Sequence, residues 1–161
     1  MTSVDETVTI RNLRPEDLEA VISLDAKLTG RRREEFFRLS LQQHLVESGI
    51  KISLAAELDG VFCGFLLARV YYGEFGTMEP AAVLDTIGVN PDFRHQGVGS
   101  AMVRQLRLNL GGLGVSRLQT EVGWDNPELL AFFNHEGFRP AQRFCLDLDL
   151  TLPQPDPEEE R

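Results

Sequence analysis

Residues 82 to 110 constrain the fold of this chain most. An extended apolar run, Ala82-Val83-Leu84-Asp85-Thr86-Ile87-Gly88-Val89, leads to a turn at Asn90-Pro91-Asp92. Arg94-His95-Gln96-Gly97-Val98-Gly99 follows and opens an amphipathic helix over about 98–110. A strand, a glycine-bearing loop and a helix N-terminus in that order make an anion site. The first backbone N–H groups of a helix have no partner within it, and the dipole adds about half a positive charge there. Gly97 and Gly99 let a ligand approach the main chain. These residues alone point to a diphosphate on the turn.

The remainder supplies a mixed sheet around this unit. Residues 8–13 alternate at period two and predict a strand. Pro15-Glu16-Asp17 starts a helix that runs to about Lys27 and ends at Gly30. A second helix is expected over 33–47, with Phe37, Leu41, His44 and Leu45 on one face. Ile52, Leu54, Ala56 and Leu58 alternate as a strand. Asp59-Gly60 is a two-residue hairpin turn into a strand over 61–72. A loop over 73–79 precedes the strand at 82–89. Gly111-Gly112-Leu113-Gly114 closes the helix after it. A strand over 116–122 and a short helix over 126–135, capped by Asn126 with Pro127 behind it, come next. Phe138 opens a final strand pair, in which Phe144, Leu146, Leu148 and Leu150 alternate. The order is β-α-α-β-β-β-α-β-α-β-β, an α/β mixed sheet with helices on both faces. Residues 1–152 read as one domain, and the Pro- and Glu-rich residues 153–161 as an unfolded acidic tail.

Other phosphate-binding folds use the same turn physics, but their marks are missing. There is no Gly-Lys-Ser/Thr of a Walker loop and no Gly-x-Gly-x-x-Gly at this turn. The two-helix, hairpin-rich beginning is also unlike a doubly wound fold.

The chain instead resembles the Gcn5-related N-acetyltransferases. Arg94-His95-Gln96-Gly97-Val98-Gly99 matches their acetyl-coenzyme A motif, Arg/Gln-x-x-Gly-x-Gly/Ala. Ile87-Gly88-Val89-Asn90-Pro91 is similar to the Ile-Ala-Val-x-Pro before it. Leu118-Gln119-Thr120-Glu121-Val122, Asn126, Ala131-Phe132-Phe133 and Gly137-Phe138 resemble the downstream pattern. The spacing of Glu121, Asn126 and Phe133 is similar to that of bacterial ribosomal-protein alanine acetyltransferases. The resemblance covers residues 83–138.

It implies acetyl-CoA as cosubstrate, with no metal. The pyrophosphate would lie on Gly97, Val98, Gly99, Ser100 and Ala101 through main-chain N–H groups, with Arg94, His95 and Gln96 beside it. Two parallel strands, at 83–89 and 117–122, would splay apart. The pantetheine arm would pair with free backbone groups of Ile87 and Val89 like an added strand. Gly88 is a candidate bulge there. Asn126 would contact the pantetheine. Ile87 and Val89 are equally plain strand core, and both readings hold together.

Acetyl transfer to an amine needs a proton acceptor and a polarised thioester oxygen. The resemblance implies Glu121 as general base; Asp85, on the neighbouring strand, is the reserve base. Glu121 also reads as a solvent-facing acid on a strand edge. Phe133 departs from the family, where a tyrosine protonates the coenzyme thiolate. Phenylalanine has no proton to give. Three outcomes stay open: an unassisted thiolate, a hydroxyl from Tyr71 or Tyr72, or a non-catalytic acyl-CoA-binding module of the same fold. His135 reads as a cap of its helix end and Trp124 as a cover for the sheet end. Arg31-Arg32-Arg33 reads as a solvated run or as a wall of the acceptor site that favours an acid-bearing acceptor. Gly73-Glu74-Phe75-Gly76 is a candidate opposite wall.

The formal net charge of −9 over 161 residues argues against broad binding to nucleic acid or anionic membrane. It suits an amine substrate and equally a surface kept acidic for solubility. No apolar run is long enough to cross a bilayer, and the first residues, with Asp5 and Glu6, lack a basic-then-apolar signal. The two cysteines, Cys63 and Cys145, sit in strand-like apolar contexts and read as buried small hydrophobes. His44, His95 and His135 show no metal-ligand spacing. The expectation is a cytoplasmic N-acetyltransferase whose acceptor is a peptide N-terminus, a lysine or a small amine. A homodimer through an exposed strand edge rests on fold-level analogy alone.

Overall fold

The computed structural model describes residues 8–73, 76 and 78–153. Glu74 and Phe75 of the expected loop wall, and residues 154–161 of the expected tail, lie outside the described residues. Five strands form one sheet in the order β1-β2-β3-β4-β5. They are β1 (Val8–Asn12), β2 (Leu54–Leu58), β3 (Val61–Tyr71), β4 (Ala81–Val89) and β5 (Leu118–Thr120). β1 to β4 pair antiparallel, and β5 joins β4 parallel. The helices are α1 (Leu18–Thr29), α2 (Glu34–Leu41), α3 (Val98–Gly112) and α4 (Pro127–His135).

Local chemistry sets most boundaries. Asp17 accepts from the Arg14 N–H at 2.8 Å and from Arg11 Nη1 and Nη2, each at 2.8 Å, which fixes the entry to α1. Gly30 ends α1 in the left-handed region, at φ 76°. Asp59 and Gly60 take φ of 51° and 78°, the paired positive angles of the hairpin turn between β2 and β3.

One core lies on each face of the sheet. On one side, Val98, Met102, Leu106 and Leu110 of α3 pack on Leu54, Ala56, Leu66 and Leu84. On the other, Val21, Ile22, Phe37, Leu41 and Leu45 pack on Ala55, Phe65 and Leu67. The expected helix over 33–47 changes pitch within its length: α2 passes into a π-turn at Gln42–Glu47.

Gly88 is not the bulge that the sequence suggests. A Cβ there would sit 2.8 Å from Phe65 Cε1 and 3.2 Å from Leu24 Cδ2, so glycine serves close packing. Phe65 is fully buried and held edge-on by Phe37 at 5.8 Å, and so has no room to yield. Gly88→Ala is therefore expected to cost about 1–3 kcal/mol, read from the urea midpoint. An unchanged midpoint would contradict this packing.

The final strand pair is a correction. Phe138 packs on Phe133 with ring centroids 4.9 Å apart, but residues 139–152 form no strand and are exposed throughout. Period-two patterning marks which face needs cover, whereas a strand also needs a ladder partner. β5, expected over 116–122, spans only Leu118–Thr120. Cys145 goes with this segment and is exposed rather than buried. Cys63 is buried as expected, and burial pushes its thiol up to about 11. Among the described residues, no helix is long and apolar enough to cross a membrane.

Candidate active site

β4 and β5 part in the middle of β4. Their register runs Ala82↔Leu118, Val83↔Gln119, Leu84↔Thr120 and stops. The Thr120 hydroxyl donates to the Leu84 carbonyl at 2.9 Å and closes the ladder. Asp85 through Val89 continue with no β5 partner, so the Ile87 and Val89 backbones face a gap on that side. Asp85 and Glu121 each lie one residue beyond the last pair. The two carboxylate-bearing positions thus flank the mouth of the gap, Asp85 on β4 and Glu121 just past the end of β5.

Asp85 is itself the bulge. On the β3 side, Leu67 pairs with Thr86 and Ala68 with Leu84, which leaves Asp85 as the extra residue. A bulge re-aims a side chain, and bulges gather beside active sites. The Asp85 carboxylate meets His44, whose Nε2 lies 2.7 Å from Oδ2. His44 stands in the π-turn after α2, a second irregularity of the kind found at functional sites. Arg69 Nε is 3.6 Å from the same carboxylate oxygen. Phe36, Ser40, His44, Leu67, Arg69 and Asp85 are among the residues lining a cavity of about 540 Å³ on this side of the sheet.

The protonation of the pair follows from its hydrogen bonds. His44 Nδ1 lies 2.7 Å from the Ser40 carbonyl, which only accepts, so Nδ1 carries a hydrogen. The contact between Nε2 and the carboxylate then needs one more proton. Burial alone would lower the His44 pKa. The hydrogen bonds to Asp85 and Ser40, with the Asp85 charge, outweigh burial and the Arg69 charge, and raise it above the usual value. A raised histidine pKa stabilises the fold fully below the unfolded value of about 6.5, and that gain fades as pH rises through the folded pKa. The urea midpoint of wild type relative to His44→Gln is therefore expected to fall as pH rises above about 6.5. A pH-independent difference would contradict the charged pair.

The turn after β4 has the form the sequence suggests. Asn90 Oδ1 accepts the Asp92 N–H at 3.0 Å, and a 3-10 turn covers Pro91–Phe93. His95 and Gly97 take positive φ of 64° and 74°. Arg94, His95, Gln96 and Gly97 are exposed, and nothing lies within 4 Å of where a Gly97 Cβ would be. Ala101 N–H bonds the Gly97 carbonyl at 2.9 Å, which leaves the Val98, Gly99 and Ser100 N–H groups at the open helix end. The Val98 side chain is core, so only its backbone faces a ligand. A Gly99 Cβ would meet the Phe132 ring at 3.0 Å. The Ser100 hydroxyl donates to Glu136.

Asn126 caps α4, accepting the Leu129 N–H at 3.2 Å. Phe133 is buried against Phe132 and Phe138. Glu121 is exposed, with Cys145 Sγ 3.5 Å from its carboxylate. Tyr71 is buried with its hydroxyl on Gln119, whereas Tyr72 is exposed. His135 lies on Glu136 at 3.5 Å rather than capping, and Trp124 is fully exposed rather than covering the sheet. Arg32 pairs with Glu19 and Glu34, and Arg33 with buried Asp25 at 2.6 Å, so these two arginines brace α1 against α2. His44 was missed as a site residue; its signal was a histidine on an otherwise apolar helix face.

A family model described as the acetyltransferase (GNAT) family matches residues 14–138. The structure is similar to an aminoglycoside 6'-N-acetyltransferase from Acinetobacter baumannii, at 19% identity over 89% of this chain and 98% of that one, TM-score 0.75. It is similar to a ribosomal-protein-alanine N-acetyltransferase from Brucella melitensis, at 20% identity over 89% and 99%, TM-score 0.72. An aminoglycoside N-acetyltransferase in complex with CoA matches at 20% identity over 89% and 95%, TM-score 0.74. These identities show a shared fold.

Proposed function

The chain belongs to the acetyltransferase (GNAT) family, and from that premise we propose that it acetylates a primary amine by direct transfer from acetyl-CoA, with the amine held in the cavity at Asp85 and His44. The observation that carries this reading is the meeting of three features at one point: the end of the β4–β5 ladder, the Asp85 bulge and the His44 π-turn.

The residues present fit the coenzyme. The open N–H groups at residues 98–100 and the left-handed Gly97 suit a pyrophosphate. Arg94, His95 and Gln96 stand exposed beside them. The unpaired backbone of Ile87 and Val89 suits an extended amide-bearing arm. When bound, acetyl-CoA supplies an activated acyl thioester.

The geometry favours Asp85 over Glu121 as first proton acceptor. Asp85 lines a cavity large enough for an amine and has His44 behind it to take the proton onward. In the neutral-histidine form the pair has room for one proton, and the amine gives one up as it attacks. Glu121 is the second reading, favoured by its place one residue past the ladder on β5. Phe133 offers no proton to a departing thiolate, and a thiol of pKa about 8.5 needs none to leave. The reading places the protein in a reducing, cytoplasmic compartment.

Thiol release from acetyl-CoA over a panel of small amines, amino acids and peptides tests the function. Release with at least one amine class is expected. Coenzyme binding without release on any acceptor would mark a non-catalytic module, and stabilisation by ATP but not acetyl-CoA would overturn the coenzyme site.

A further inference from the structure

The charges and apolar side chains of the cavity at Asp85 narrow the kind of amine it takes. Among the described residues that line it, Asp85 carries the only carboxylate. Arg69 brings a positive charge to that carboxylate, with Nε 3.6 Å from Oδ2, and its guanidinium lies 5.6 Å from the centroid of the Tyr71 ring. His44, on the same oxygen, adds a second group that carries positive charge when protonated. The remaining described lining side chains are uncharged. A second ammonium in this space would therefore meet a cation and no further acid.

Phe36 adds an independent constraint. It lines the cavity and is 46% exposed. The Arg33 guanidinium sits over its ring, 4.8 Å from the centroid, and is itself fixed by hydrogen bonds to buried Asp25 at 2.9 and 2.6 Å. Fully buried Phe37 meets the Phe36 ring edge-on, with centroids 5.0 Å apart. The ring is thus held in place from behind. A ring that already carries a guanidinium suits an uncharged group better than a second cation. Leu67 and Val70 add apolar lining to the same cavity.

On the reading of this cavity as the acceptor site, we infer that the acceptor is a small amine with one positive charge and an apolar body. Its ammonium meets Asp85 and its hydrocarbon lies on Phe36, Leu67 and Val70. Amines with several charges are rejected by Arg69 and His44. Phe36 is then a specificity-determining residue, and Arg33 the group that positions it.

Thiol release from acetyl-CoA by the full chain at about pH 7.5 tests the inference, with ethylamine, butylamine, hexylamine, hexamethylenediamine, spermidine and kanamycin as acceptors. Hexylamine and hexamethylenediamine share a length, but the diamine carries two charges at this pH. The kcat/KM for hexylamine is expected to exceed that for the diamine at least about 20-fold. Each methylene added from ethylamine to hexylamine should lower KM by up to about fourfold. Phe36→Ala should raise the hexylamine KM about 10-fold and change the ethylamine KM less than about twofold, with kcat within a few-fold. Phe36→Leu should restore most of the loss. Arg69→Gln should narrow the hexylamine-to-diamine ratio at least about fivefold. Equal or better use of the diamine, spermidine or kanamycin by wild type overturns the inference and leaves acetyl transfer standing. A hexylamine KM that does not move in Phe36→Ala overturns the place given to the apolar body. Coenzyme binding without release on any of these amines removes the functional reading and this inference with it.

Discussion

Asp85→Asn is expected to lower kcat about 100-fold or more and to leave acetyl-CoA affinity within about twofold. The substitution keeps the size of the side chain and removes the group that takes the proton. Coenzyme contacts are assigned to backbone at 87–89 and 97–101, away from this carboxylate, so binding should hold. The pH dependence separates the two carboxylates. If the proton passes from Asp85 to His44, wild-type kcat/KM rises with pH through the raised histidine pKa. His44→Gln should flatten that rise while lowering the plateau. Glu121→Gln should then change turnover only a few-fold. A large loss in Glu121→Gln with a small one in Asp85→Asn would transfer the role to β5.

The second large effect belongs to the turn. Gly97→Trp should weaken acetyl-CoA at least about 100-fold, because a bulky side chain over the open N–H groups removes several charge-assisted hydrogen bonds at once. Space is not what limits the folded protein there, since nothing lies within 4 Å of the new Cβ. The cost to the fold is the left-handed angle of 74°, about 1–2 kcal/mol for a non-glycine residue. Gly97→Ala carries the same backbone strain with little bulk. It should lose affinity only a few-fold, and calorimetry on both variants separates strain from blockade. Equal losses in the two would place the effect in the backbone.

The turn was legible from sequence because its physics is local: a strand, a glycine able to take positive φ and a helix start lie within about twenty residues. The hairpin at Asp59-Gly60 and the Asn126 cap were legible for the same reason. The meeting of Asp85 with His44 was not. It depends on a bulge set by pairing across β3 and on a π-turn forty residues earlier in the chain, and neither leaves a short-range mark. Sequence ranked Glu121 first because the family pattern points to β5, whereas the cavity forms on the β3–β4 side. The last strand pair shows the opposite failure. Its alternation marks an apolar parity at residues 144–150, but alternation supplies no ladder partner, and these residues form no strand and stay exposed.

A structure with bound coenzyme and an amine or its analogue tests the proposed chemistry most directly. The expected result has the pyrophosphate on the 97–101 N–H groups, the arm along Ile87 and Val89, and the amine nitrogen within hydrogen-bond reach of Asp85. A coenzyme seated elsewhere, or an amine approaching from the far face with Asp85 still closed on His44, would contradict it.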